Sequence, residues 1–394
     1  MMKDQRTLRL LHLIHSAHPQ TGGPGEAIRQ ISPLLLERRW TVTLASMDAP
    51  EVAEMAPLPG VAWETSGPGR NGYGWRAGLV RHWQRLAQTH DAVIVHGLWN
   101  FPALAGGMAA RRAGTPYWVY PHGMLDPWFN RAYPGKMLKK HLTWWWGERV
   151  LLGRAREVWF TSPAEQRLAQ TSFPAYRVKG RVVPFGVGRP PEPSPEEREA
   201  VQACLTAGAA TRHLLFLSRL HPKKGLDVLL RLWADPERRP ADTILWIAGR
   251  GEAAYEAHLH ALAGPSGETV RWLGWVNGGV KTAWLSAVDA LILPSHQENF
   301  GLVVAEALAV GTPVLLTHAV NIAETVVASQ AGHAERDDEA GVQQLLSVFQ
   351  ADPEFKPRRR EAAQACFRTY FAIAQAATAV DERLRAALEP LSHD

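Results

Sequence analysis

The stretch that most constrains this chain is residues 291–317, LILPSHQENFGLVVAEALAVGTPVLLT. Leu291, Ile292 and Leu293 have the composition of a short buried strand, stopped by Pro294 and Ser295. A loop carrying Glu298 follows. Phe300 and Gly301 then open a helical run that Gly311 closes, with Pro313 just beyond it. Residues 313–317 read as a second strand. Strand, loop, helix and strand in that order form the unit of a parallel sheet, so an α/β protein is expected.

Two carboxylates sit inside this unit. Glu298 lies in the loop at the strand's carboxyl end, where open α/β sheets bind ligands. Glu306 lies in the helix among Val303, Val304, Ala307 and Leu308. A carboxylate there is costly to bury unless something hydrogen-bonds it, and polyol hydroxyls are suitable donors. The helix start at Gly301 and Leu302 offers free N–H groups and partial positive charge, which suit a phosphate. Taken alone, the pair also reads as a loop charge and a solvated helix-edge residue.

The stretch resembles the donor-binding motif of the retaining glycosyltransferases of family 4. That motif reads P-S-x-x-E-x-F-G-L-x-x-x-E-A-x-A-x-G-x-P-V, and every fixed position from Pro294 through Glu306 to Val314 is matched. The resemblance implies the GT-B fold: two doubly wound, Rossmann-like parallel sheets facing a cleft, with a C-terminal helix returning to the first domain. It also implies a nucleotide-diphosphate sugar as donor. Glu306 would hold the ribose hydroxyls and Glu298 the sugar hydroxyls. The backbone at Phe300, Gly301 and Leu302 would meet the diphosphate.

Length agrees with two domains, since 394 residues exceed what a single core of ordinary size holds. Cys204 and Cys366 are the only cysteines and lie far apart, which argues for a reducing compartment and against a zinc site. No apolar run has the length of a membrane span. The opening MMKDQRTLRLLHLIHSA carries His12 and His15 in its apolar part and reads as a first strand rather than a signal peptide. A cytoplasmic protein is expected, and a peripheral position at the inner face of the membrane is compatible with it. The net charge of +5 admits an anionic partner. Nucleic acid is disfavoured, because no zinc spacing or RNA-binding signature occurs.

In the first half, residues 8–14 read as a strand that runs into Gly22, Gly23 and Gly25 and then a helix. Ile28 stands where a dinucleotide fingerprint needs its third glycine, so a nicotinamide dehydrogenase is disfavoured. A plain tight turn and a phosphate loop both remain open here. The resemblance implies that Gly22 and Gly23 face the donor phosphates. Residues 75–88 read as a basic amphipathic helix. Residues 117–120 read as a strand ending at Pro121-His122-Gly123-Met124. A lone histidine at a strand end is commonly structural, but the PHGM setting is similar to the family's histidine that reaches toward the donor sugar. Residues 131–149 combine Arg131, Lys136, Lys139 and Lys140 with Trp144, Trp145 and Trp146. Lysine suits anionic headgroups and tryptophan the membrane interface, while a core role for the tryptophans reads equally well.

Residues 184–195 are rich in proline and form the best linker, so the domains are expected at residues 1–186 with 367–394, and at 187–366. Residues 352–360, with Pro353, Pro357 and three arginines, read as the second crossing. After a strand at residues 213–217 come Arg219 and Lys224, cations able to clamp a diphosphate at a strand-to-helix turn. They fall in a segment similar to the family's G-R-L-x-x-x-K-G-x-D signature, with Ser218 in place of Gly. No D-x-D pair occurs, so neither a metal nor another cofactor is expected. The expected reaction is sugar transfer, with retention, to a saccharide or lipid-linked saccharide in polysaccharide assembly. His122, Arg219, Lys224 and Glu298 are the catalytic candidates. Rival readings are a nucleotide-sugar-binding protein without transfer activity and a GT-B epimerase.

Overall fold

Runs of three to seven residues become the strands of two parallel sheets in the computed structural model of the chain, which describes residues 6–19, 23–129, 134–207, 210–266 and 268–389. The chain divides into two units, Met1–Gly186 with Ile373–Asp394, and Val187–Ala372.

The sheet of the first unit contains β1 (Leu8–Leu13), β2 (Trp40–Ser46), β3 (Val61–Thr65), β4 (Ala92–His96), β5 (Tyr117–Tyr120), β6 (Val158–Phe160) and β7 (Gly180–Val182). Their order is β3-β2-β1-β4-β5-β6-β7, and each pairing is parallel. Helices cover both faces, so β4, β5 and β6 are near-continuous apolar runs rather than alternating ones. Leu11, Leu13, Val93 and Val95 pack with the helices Leu79–Ala87 and Phe101–Ala113. Leu10, Ile94, Trp118 and Tyr120 point the other way, toward Leu35, Val380 and Leu384 on the helices Gly23–Glu37 and Ile373–Leu388. The two-residue period of a strand puts His12 and His96 on that second face. Local signals fix the ends. The Asn100 side chain accepts from the Ala103 N–H, and Gly114 closes the same helix in the left-handed region at φ 75°.

The second sheet contains β8 (Arg212–Leu217), β9 (Thr243–Ala248), β10 (Val270–Gly274), β11 (Ala290–Leu293), β12 (Val314–Thr317) and β13 (Gly332–Glu335), in the order β10-β9-β8-β11-β12-β13. It too is parallel throughout. Its first helix, Pro195–Thr206, opens with a capping box: the Ser194 hydroxyl accepts from the Glu197 N–H while Glu197 accepts from the Ser194 N–H.

Three sequence expectations change. The basic helix begins at Leu79, not at residue 75, because Gly78 lies in the left-handed region at φ 78°. Residues 352–360 are not a crossing but lead into a helix, Phe355–Cys366, of the second unit. Pro357 sits in its first turn, where a missing N–H costs nothing. The return falls later than residue 367: Phe367–Phe371 form a wide turn of the second unit, and the last helix of the first unit is Ile373–Leu388.

Candidate functional site

In the second sheet the chain moves outward from β8 through β9 to β10 on one side, and from β11 through β12 to β13 on the other. The connections therefore diverge between β8 and β11, and the crevice at the carboxyl ends of those two strands is where this topology places a ligand. The Arg219–Lys224 turn follows β8, and the Glu298 loop follows β11. They are fastened together: His296 donates its N–H to the Lys223 carbonyl at 2.8 Å. Gly225, at φ 66°, lies where any Cβ would come within 2.0 Å of the Pro294 carbonyl oxygen. Glycine is therefore required between Lys224 and the helix Leu226–Ala234. The Glu298 backbone is fixed in turn, donating to Ala319 and accepting from Asn321, each at 3.0 Å.

Lys224 is 5% exposed and donates to the Glu298 carboxylate. Burial, then the neighbouring Lys223 and Arg219 cations, push its pKa from the usual 10.5 down to about 7. The Glu298 contact pulls the other way. Arg219 itself is exposed. Gly301, at φ 71°, caps the helix Leu302–Ala309, and Phe300 before it is buried edge-on against Phe371 at 5.7 Å. Glu306 projects from this helix to accept from Lys281 of the helix Gly278–Ala287 at 2.7 Å. A buried lysine, the carboxylate it holds and a second carboxylate thus line one sheet edge. That arrangement can take an anionic diphosphate and the hydroxyls of a sugar.

The first unit carries the other candidates. Gly22 lies outside the described residues, and Gly23 is the first residue of the helix Gly23–Glu37. His122 follows β5 with φ 53°, a conformation uncommon for a non-glycine residue and found where surrounding structure enforces it. The enforcing group is Glu165. One of its carboxylate oxygens accepts from the Gly123 N–H at 2.6 Å, and the other from the Thr161 N–H and hydroxyl at 2.7 and 2.8 Å. The His122 ring stacks on Tyr120 and His96 and meets the edge of Phe185.

Two family profiles match the chain, one described as glycosyl transferases group 1 over residues 211–351 and one as glycosyl transferase 4-like domain over residues 22–186. Glycosyltransferase domains of these two kinds take up most of the chain. Among the chain's relatives, the D-inositol 3-phosphate glycosyltransferase 2 of Catenulispora acidiphila is 36% identical over 149 residues, 34% of this chain and 35% of that protein. The D-inositol 3-phosphate glycosyltransferase of Streptomyces coelicolor is 33% identical over 217 residues, 51% of this chain and 47% of that one. The match thus spans less than half the length of these two relatives. The fold is that of Anabaena HepE, solved in complex with UDP and glucose, with a TM-score of 0.74 at 20% identity over 96% of this chain and 100% of that one.

Four residues of the site escape a reading of the motifs. Lys281 neutralises Glu306, and Glu165 sets the His122 backbone. Glu148, buried, accepts from the N–H of Trp99, itself at φ 62° in the loop after β4. His96 bonds His122 directly, at 2.9 Å. Each is reached through space from another element, so no spacing within a motif announces it.

Proposed function

We propose that the protein transfers a sugar from a nucleotide-diphosphate sugar to a saccharide or lipid-linked saccharide acceptor, with retention of anomeric configuration. The observation that carries this reading is the buried Lys224–Glu298 pair at the switch between β8 and β11, beside a glycine that admits no side chain. Breaking the anomeric C–O bond develops negative charge on the leaving diphosphate. Lys224, Arg219 and the N–H groups after Gly301 are fixed charges and dipoles for that oxyanion. Glu306 takes the ribose hydroxyls, and Glu298, held by Lys224, takes the sugar's. His122, Gly22 and Gly23 keep the roles toward the donor that the family motif gives them. Retaining glycosidases use a free carboxylate as nucleophile. Glu298 is tied to a cation and ill suited to that role. Front-face attack, with the leaving phosphate oxygen receiving the acceptor's proton, fits these residues better.

Protein cations carry the diphosphate in this proposal, so the reaction needs no metal. Binding to the native state raises stability, so a panel of nucleotide sugars tests the donor site by thermal shift. HepE's ligand makes UDP-glucose the first member of the panel. A donor is expected to raise the melting temperature equally with and without excess EDTA. A shift seen only with added magnesium or manganese would overturn the metal-independent site.

We also propose that the acceptor is met at an anionic membrane surface. Trp144 is core, stacked on Phe173, whereas Leu142, Trp145 and Trp146 are 60%, 44% and 80% exposed. The exposed Arg149 lies 5.1 Å over the Trp145 ring. Lys140 does not face outward as expected. Its ammonium lies 4.8 Å over Trp99. Arg131 and the side chains of Lys136 and Lys139 lie outside what is described. No helix among the described residues is long and apolar enough to cross a membrane, so attachment would be superficial. Co-sedimentation with anionic vesicles is expected at low salt, falling as salt rises and when Trp145 and Trp146 are both changed to Glu. Equal pelleting of the double variant would contradict this surface.

A further inference from the structure

Behind His122 stands a chain of imidazoles. His12 Nδ1 lies 2.9 Å from His96 Nε2, and His96 Nδ1 lies 2.9 Å from His122 Nε2. β1 and β4 are neighbours and β5 is next in order, so His12, the last residue of β4 and the residue two beyond β5 fall in line. His12 and His96 are buried. The groups that titrate around them are Tyr120, stacked on both His96 and His122, and Glu165, engaged by Gly123 and Thr161.

A neutral imidazole has one N–H and one lone pair. Two consecutive bonds therefore couple all three tautomers, and the chain runs in one of two directions. The buried end decides which. Among the described residues, none bonds His12 Nε2. Beside it lies a cavity of about 30 Å³ whose lining includes Ile28, Ile31, Ile94, Ala376 and Val380. A proton on that nitrogen would be a buried, unsatisfied donor, the costlier orphan; a lone pair there costs less. The chain then runs outward, from His12 Nδ1–H to His96 Nε2 and from His96 Nδ1–H to His122 Nε2. His122 is left with its own proton on Nδ1. Burial lowers all three pKa values, so the chain stays neutral.

We propose that His12 and His96 are positioning residues that lock His122 as the Nδ1–H tautomer, so that it presents a hydrogen-bond donor, not an acceptor, to an oxygen of the donor sugar. This rests on the function proposed above, in which His122 meets that sugar. Two distinct roles separate here: Glu165 sets where the ring stands, and the chain sets what the ring offers.

Nitrogen-15 NMR of the histidine-labelled full-length protein reads the tautomers without substrate. The wild type is expected to show His122 protonated on Nδ1 and not titrating through neutral pH. His12→Phe is expected to leave a mixture of His122 tautomers and to lower kcat roughly tenfold, with KM for the donor little changed. His12→Gln, whose amide can donate to His96, is expected to restore both the single tautomer and most of kcat. A melting curve for each variant separates these effects from unfolding. A wild-type His122 protonated on Nε2, or a folded His12→Phe variant with an unchanged His122 spectrum, would overturn the proposal. An Nδ1–H tautomer in a protein that consumes no nucleotide sugar would instead contradict the function and leave the direction of the chain established.

Discussion

Changing Lys224 to methionine is expected to lower kcat by about 100- to 1,000-fold, the loss seen when one fixed donor to a developing oxyanion is removed. The protein should still fold. Lys224 is buried, and desolvation already works against its charge, so an apolar side chain of similar length removes that penalty while losing the bond to Glu298. The two changes oppose each other in stability and add in catalysis. Arg219→Ala should also impair turnover, with no effect on the core, because Arg219 is exposed. The pH behaviour follows from the same group. Burial pushes the Lys224 ammonium down to about 7, and a bound diphosphate raises that value by adding negative charge. Above pH 7, binding must therefore take up a proton, and affinity should fall as pH rises until the bound-state value is passed. Calorimetry in buffers of different ionisation enthalpy measures the uptake. A Lys224→Met variant with near-normal kcat, or binding with no proton uptake at alkaline pH, would remove Lys224 from the diphosphate site.

Glu306→Ala is expected to weaken binding of the free nucleotide diphosphate by about 10- to 100-fold, since hydrogen bonds to a charged group are worth about 1.5–3 kcal/mol. The effect should exceed that of Lys281→Ala. Losing Glu306 removes the acceptor of the ribose hydroxyls, whereas losing Lys281 leaves that acceptor in place and only frees its charge. Glu298→Ala should spare the free nucleotide and weaken discrimination among sugars. Unchanged nucleotide affinity in Glu306→Ala would mean that Glu306 serves only its ion pair with Lys281.

The parts of this site readable from the sequence are those that one strand–turn–helix unit holds together. Glu298, Gly301 and Glu306 share such a unit, and Arg219, Lys224 and Gly225 share another, so local spacing sufficed. The sequence does not say that Lys224 and Glu298 are bonded to each other. That depends on β8 and β11 being neighbours, a fact of sheet order. Lys281 and Glu165 act from helices far along the chain, and helix-to-site contacts leave no local pattern. His12 looked like a polar interruption of a first strand; only the pairing of β1 with β4 aligns it with His96. The misread crossing has a different cause. Prolines and a basic triplet look like a linker, yet Pro357 in a first turn, Arg358 and Arg360 exposed and Arg359 paired with Asp352 are ordinary helix chemistry.

The central claim is that bound nucleotide sugar is consumed by transfer. The most direct measurement is the release of nucleotide diphosphate from a donor that stabilises the protein, followed with and without a saccharide or lipid-linked acceptor. Release is expected to depend on acceptor, to be matched by a glycosylated product of unchanged anomeric configuration, and to fall steeply in Lys224→Met. A donor that binds but is never consumed would make the chain a binding protein. A donor converted to another nucleotide sugar regardless of acceptor would make it an epimerase, and either result would contradict the account.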